Sequence, residues 1–199
     1  MSEPERALTP LIDFDFESKW WLMLPRSFPT ATDASVAEWA TRVAAESNVQ
    51  DEWLAEEYRP LLPQVLIEQY EGFDSDHTAV LWYAPLGLPA TGYATIDVDT
   101  RPEDFDASPA GVTAGITSLI VSPPQEVSTA SLGEGVGFTR LFEVTGQADF
   151  EGLPMAQTSY VFWPGDHLVI VTGKAADPGM MGLMGAELWS IVESIRLHE

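Results

Sequence analysis

The chain contains no cysteine, which excludes disulfide bonds, thiolate metal ligands and cysteine nucleophiles. Basic residues are scarce: nine lysines and arginines stand against 31 aspartates and glutamates, giving a formal net charge of -22. Such a chain lacks the basic patch that phosphate backbones and anionic lipid headgroups require. Nucleic acids and membrane surfaces are therefore not expected partners.

Long apolar runs are also missing, so no transmembrane helix is predicted. The first residues, Met1–Arg6, are acidic and no apolar stretch follows them. We therefore expect neither a signal peptide nor a lipid anchor, and the cytoplasm is the predicted location.

What the chain does have is the capacity to fold. Apolar residues make up 45% of its 199 residues, and seven are tryptophans, which is more burial capacity than a disordered chain carries. This length predicts one domain. We expect residues 1–18, which mix prolines with acids, to form a flexible acidic tail, and residues 19–199 to form the domain.

Within the expected tail, Asp13, Asp15 and Glu17 alternate with Phe14 and Phe16. This alternation places the acids on one side of an extended segment. An edge strand with a wet face is the simplest interpretation.

Three segments predict helices. A capping box at Ser35–Glu38 precedes a one-sided apolar stripe, and Asp177-Pro178 precedes another, in a closing helix. The two stripes consist of Val36, Trp39, Ala40, Val43 and Ala44, and of Met184, Leu188, Ile191, Val192 and Ile195.

A further helix is predicted from Asp51, kinked or split by Pro60 and Pro63. Its inward residues are expected to be Leu54, Tyr58, Leu61, Leu62 and Val65.

Strand-like patterns occupy most of the remaining chain. The predicted strands are 19–24, 79–83, 93–98, 126–132, 136–144, 155–163 and 168–172. The last two are joined by Pro164-Gly165-Asp166-His167, a typical hairpin turn. The apolar run 112–121 has no clear periodicity, and Pro123-Pro124 is expected to end it. The element order predicts an α+β fold, a mainly antiparallel sheet flanked by helices.

The densest acidic cluster spans Asp97 to Asp106 and also includes Asp99 and Asp104. Hard cations bind several converging oxygens, but Arg101 and Pro102 interrupt the spacing of an EF-hand. We therefore interpret the cluster as solvated strand and loop and predict no metal site.

Two other patterns are typical of chemistry but incomplete. Gly133, Gly135 and Gly137 begin like a phosphate-binding loop, yet a strand pattern follows where a helix is required, so bulge or turn glycines are predicted. The three histidines, His77, His167 and His198, lack zinc-site spacing. Thus the sequence assigns no catalytic, cofactor-binding or metal-binding residue, and no cofactor is expected.

The start of the closing helix is rich in methionine and glycine, with Met180, Met181, Leu183 and Met184 close together. Methionine-rich surfaces can bind partners adaptively, but methionine also fills gaps in cores. Core packing is the preferred interpretation.

A resemblance to a known fold rests on three segments. They are Trp21–Pro25, the hairpin from Thr158 to Thr172, and Leu188–Leu197, a closing helix that runs into a short strand. In element order, the chain resembles the PsbP-like α/β/α sandwich, including DcrB-type and LpqN-type proteins and small actinobacterial relatives. Members of that fold are binding, assembly or chaperone modules, so the resemblance implies a protein-interaction role. It transfers no functional residue.

Two functions remain open at this stage. The first is an intracellular interaction module, an adaptor or chaperone-like protein without catalysis, whose partner is a protein with a basic or mixed apolar-basic surface. The alternative is a hydrolase that uses carboxylates such as Asp97, Asp99 or Asp104, with or without a divalent metal. The sequence leaves homo-oligomerisation open.

Overall fold

The computed structural model describes residues 5–8, 11–50, 59–73, 76–83, 92–143, 152, 154–176 and 178–198, with side chains for all of these except 5–8, 47–50 and 59. In chain order the elements are β1 (Glu5–Leu8), β2 (Ile12–Phe16), β3 (Trp21–Leu24), α1 (Val36–Gln50), a 3₁₀ turn (Arg59–Leu61), α2 (Leu62–Glu71), β4 (Ala79–Tyr83), β5 (Gly92–Thr100), α3 (Pro109–Val112), β6 (Leu119–Thr129), β7 (Gly133–Glu143), β8 (Pro154–Phe162), β9 (His167–Ala175), α4 (Pro178–Ser194) and β10 (Arg196–Leu197).

The strands form two sheets. The large sheet has seven strands in the order β3-β4-β5-β9-β8-β7-β6, and a small sheet has the order β1-β2-β10. Neighbouring strands pair antiparallel in both sheets. The predicted α+β class and the mainly antiparallel sheet are therefore confirmed.

One face of the large sheet packs on α4. The side chains of Met184 and Leu188 are fully buried there, in one cluster with residues of β2 and of the large sheet. Gly92 and Gly173 admit the helix: a Cβ at either position would lie 2.6 Å from Met184 Sδ or Leu188 Cδ2, respectively. The predicted apolar stripe of the closing helix is confirmed, and so is core packing for Met184.

The opposite face has two separate covers. On β3 and β4, helices α1 and α2 bury Trp39, Leu66 and Trp82. On β7 and β8, the segment around α3 packs on a smaller cluster centred on Val136 and Phe138. Helices therefore flank the sheet on both sides. Within the described residues, no helix is long and apolar enough to cross a membrane.

The helix cap forms at the predicted residues: Ser35 Oγ accepts from Glu38 N at 3.3 Å, and Glu38 Oε2 accepts at 2.8 Å from Ala34 N, one residue before the N-cap. The second predicted helix is partly wrong. Its start, 51–58, lies outside the described residues, so the inward positions predicted for Leu54 and Tyr58 stay predictions. Leu61 is exposed, and the deeply buried residue is Leu66. Pro63 stands in the first turn of α2 and therefore begins the helix instead of kinking it.

The expected flexible tail is wrong for residues 11–16. They form β2, whose Ile12, Phe14 and Phe16 are buried in the main core. Ser194 Oγ accepts a hydrogen bond from Asp15 N at 2.9 Å and donates one to Asp15 O at 3.1 Å, which ties β2 to the end of α4.

The expected edge position of this segment is also wrong, because β2 is the central strand of the small sheet. Asp13 is consequently buried, whereas Asp15 lies 3.7 Å from Arg196 Nη1 in a partly exposed ion pair.

Strand β6 also departs from prediction, since it runs through Pro123-Pro124 where a stop was expected. Its pairing with β7 shifts register between Ile120 and Ser122 and again between Ser122 and Gln125. Proline lacks a backbone N–H, so an edge strand with bulges is where a sheet accepts it.

Candidate functional site

Among the described residues, the large sheet ends at β6, and no strand pairs with its outer side. None of its eleven residues is buried, and Leu119 and Val121 are 65% and 49% exposed. An edge strand presents unpaired N–H and C=O groups that can pair with another chain. Exposed apolar side chains beside such groups make this edge a candidate protein-binding surface.

Next to this edge lies a cavity of about 230 Å³ on the α4 side of the sheet, here called the edge cleft. Its lining comes from four elements. The residues are Ser122, Gln125 and Val127 of β6, Gly137, Phe138 and Thr139 of β7, Thr158 and Tyr160 of β8, and Trp189 of α4.

Two aromatic rings form one wall of the edge cleft. The ring centroids of Tyr160 and Trp189 lie 5.1 Å apart and the rings are tilted by 53°. Burial raises the pKa of the Tyr160 hydroxyl, so it stays protonated near neutral pH. Gly137 makes room for this ring, because a Cβ there would lie 2.9 Å from two Tyr160 ring atoms.

The rest of the lining combines Val127 and Phe138 with polar side chains that carry no charge. Thr139 Oγ1 and Thr158 Oγ1 share a hydrogen bond at 2.9 Å, and Ser122 and Gln125 add a hydroxyl and an amide. Rings beside hydroxyl and amide groups suit a side chain that has both an apolar surface and a hydrogen-bonding group.

A second cavity, of about 210 Å³, lies between the end of β3 and α2. His77, Arg26 and Glu71 line it together with Tyr70 and apolar residues. His77 Nδ1 lies 2.8 Å from Asp97 Oδ1, which leaves Nε2 for another partner. A carboxylate-oriented histidine beside a cavity is an arrangement that can transfer protons.

The acidic cluster of the sequence is dispersed by the fold. Asp97 contacts His77, Asp99 and Asp104 are exposed, and Asp106 accepts from Ser108 N at 2.9 Å beside the start of α3. That backbone hydrogen bond lowers the pKa of the Asp106 carboxyl. Across the described residues, no group of three histidines, cysteines or acids is placed to hold a metal ion.

The histidines remain apart as well. His77 pairs with Asp97, His167 begins β9, and His198 donates its backbone N–H to Leu11 O at 3.0 Å.

The glycine pattern has a structural explanation. Gly133, the first residue of β7, has a φ of +74° where the chain turns from β6, which agrees with the predicted turn glycine. Gly135 and Gly137 lie within β7 instead, beneath the rings of Phe162 and Tyr160. A β-strand follows them, so the helix that a phosphate loop needs is not formed there.

The edge cleft was missed by sequence reasoning because Tyr160 and Trp189 stand on different elements and meet only through packing of α4. The signal that could have found it is the alternation of Gly135 and Gly137 with period two in a strand. Such glycines mark places where neighbouring rings lie over the backbone.

No protein-family model matches the chain, and no curated protein matches its sequence. Among solved structures, it is similar to the solution structure of cyanobacterial PsbP (CyanoP) from Synechocystis sp. PCC 6803. The match covers 100% of this chain and 94% of that one, at 7% identity and a TM-score of 0.45. The likeness concerns the fold alone.

Proposed function

We propose that the chain is a protein-interaction module that binds an extended segment of a partner protein along β6. The observation that carries the proposal is the open edge of the large sheet, where Leu119 and Val121 are exposed. Strand addition would use main-chain hydrogen bonds for affinity and alternate side chains for specificity. Side chains on the α4 side of the added segment would lie next to the edge cleft.

Charge favours a basic or mixed basic and apolar segment as the occupant. The chain has a net charge of -22, and Glu126 and Glu134 are exposed on β6 and β7. A second copy of this chain would bring the same charge to the edge, and like charges repel. Attraction of a basic segment acts on the association rate and weakens with salt, because exposed charges are screened over about 8 to 10 Å near physiological ionic strength.

The experiment begins with a display library of random linear peptides as long as β6, eleven residues. We expect the selected peptides to combine lysine or arginine with apolar residues and to bind less tightly as salt rises. Their affinities for the protein and its variants are then measured by calorimetry.

Replacing Leu119 and Val121 together by Lys should weaken binding at least tenfold without changing the melting temperature. Leu183→Lys is the matched control, because Leu183 is 67% exposed on α4. Equal binding by the double variant, or an equal loss in the control, would contradict the proposal.

A second candidate function is the hydrolase considered from the sequence, and the observation that favours it is the His77–Asp97 pair beside the second cavity. There His77 would act as a general base on water, held in position by Asp97. Turnover of an ester or phosphoester panel that His77→Gln abolishes would support this candidate. Activity that His77→Gln leaves unchanged would exclude it.

A further inference from the structure

Two basic side chains lie in one row across the face of the large sheet that is opposite α4. In the strand register, Tyr93 of β5 faces Lys174 of β9, which faces Gln157 of β8, which faces Arg140 of β7. One strand therefore separates Lys174 from Arg140. Two strand spacings of about 4.8 Å put their Cα atoms roughly 10 Å apart.

Both cations are held in place by neutral groups. Arg140 donates from Nη2 to Gln157 Oε1 at 2.9 Å and from Nη1 to Ser118 Oγ at 3.3 Å, and its guanidinium lies 5.2 Å from the centre of the Phe142 ring. Lys174 Nζ lies 5.5 Å from the centre of the Tyr93 ring.

Below the cations, the sheet surface is polar although it is buried. Gln157, Ser159 and Thr172 are each at most 9% exposed. Gln157 Nε2 donates to Ser159 Oγ at 2.9 Å, and Ser159 Oγ lies 3.4 Å from Thr172 Oγ1. Apolar side chains would fill these positions at lower cost, because burying polar groups requires each to keep a partner.

Among the described residues, these two cations have no carboxylate partner, as is also true of Arg26 and Arg101. Lys19, Arg42 and Arg196 each pair with an acid. No acid in the described part of the chain lies within ion-pair distance of Arg140 or Lys174, although both are half-buried. The buried Arg140 Nε also has no hydrogen-bond partner there. A half-buried charge without a counterion lowers the stability of the fold, although this chain has 31 aspartates and glutamates that could supply one.

We propose that Arg140 and Lys174 form a binding site for a small oxyanion, a carboxylate or a phosphate, seated between them above Gln157. The guanidinium supplies a planar set of donors and the ammonium a point charge, which together suit such a group. Because the two cations are fixed before the ligand arrives, binding requires little ordering of side chains. The site is on the face away from the edge cleft and is independent of peptide binding at β6.

The test is calorimetric titration of the full chain with inorganic phosphate and, separately, with succinate, at low ionic strength. We expect saturable binding of at least one of the two. Binding of phosphate alone would assign the site to phosphate groups, and binding of succinate alone would assign it to carboxylates. Absence of saturable binding by both would overturn the proposal.

Variants locate the binding. Lys174→Gln should weaken it at least tenfold, and Lys174→Arg should restore most of it, whereas Lys19→Gln, which removes a lysine whose side chain is 61% exposed elsewhere, should leave it unchanged. Arg140→Gln should also weaken binding. Because this substitution disturbs the buried polar network, the variant could fail to fold, and the Lys174 variants then decide. An equal effect of Lys174→Gln and Lys19→Gln would show nonspecific attraction and overturn the site.

Discussion

The two edges of the large sheet are built differently. At one edge, β3 has four residues, two of them buried, and α1 and α2 pack against it. At the other, β6 has eleven residues, none of them buried. Proteins commonly protect edges by keeping them short or covered, as β3 is here. The length and exposure of β6 are therefore the features on which the proposed strand addition rests.

The prolines of β6 refine this comparison. Pro123 and Pro124 offer no N–H, and the bulges around them divide the strand into two shorter pairing segments. An edge divided in this way resists indiscriminate strand pairing. A partner that fits it would have to interrupt its own pairing at the same point, which adds specificity.

The largest expected effect comes from the core that both edges share. Leu188→Asp should abolish folding, because it puts a carboxylate at a fully buried position of α4 that packs on Gly173. Leu188→Ala should lower the free energy of unfolding by about 2 to 5 kcal/mol.

The matched control for this prediction is Leu183→Asp, on the same helix but exposed. We expect its thermal melt, followed by circular dichroism, to be close to that of the unchanged protein. A stable Leu188→Asp variant would contradict the packing of α4.

A smaller effect is expected beside the open edge. Gly135→Ala puts a Cβ 2.5 Å from the Phe162 ring and should reduce stability by roughly 1 to 3 kcal/mol. Gly182→Ala has free space in α4 and should raise stability by about 0.5 to 1 kcal/mol, because alanine favours helix more than glycine does. Chemical denaturation measures both changes in stability. A loss for Gly135→Ala with a gain for Gly182→Ala would confirm the packing described at these glycines, and changes of the same sign would contradict it.

The smallest expected effect on stability concerns α1, which packs against the short edge strand β3. Arg42 at α1 donates to both carboxylate oxygens of Asp33, at 3.0 and 2.8 Å. These hydrogen bonds lower the pKa of the Asp33 carboxyl. A lowered pKa stabilises the fold above the unfolded-state value, about 3.9, and the stabilisation is lost as the pH falls through the folded-state value.

Arg42→Gln should therefore reduce the free energy of unfolding at pH 7, and the difference from the unchanged protein should shrink below about pH 4. Urea denaturation across this pH range measures it. A difference that is constant down to pH 2.5 would show that the loss of Arg42 acts through packing instead of through the carboxylate.

The sequence predicted local features well where one pattern decided the structure. The capping box at Ser35, the closing stripe with Leu188, and the hairpin through Gly165 all depend on short-range chemistry and are found in the structure. The element order was sufficient for the fold class.

Prediction from the sequence failed where the structure depends on contacts between residues that are distant along the chain. Proline and acidic residues suggested a tail at Phe14, but β10, from the other end of the chain, and α4 enclose that strand. The pairs His77–Asp97 and Tyr160–Trp189 each join separate elements, so spacing along the chain could not reveal them.

The most direct test of edge recognition is amide hydrogen exchange of the full chain with and without a selected peptide. Strand addition predicts new protection along β6, Leu119–Thr129, with none at the opposite edge in Trp21–Leu24. Protection should disappear when Leu119 and Val121 are both replaced by Lys. Peptide binding that leaves β6 exchange unchanged, or that protects β3 equally, would contradict the account.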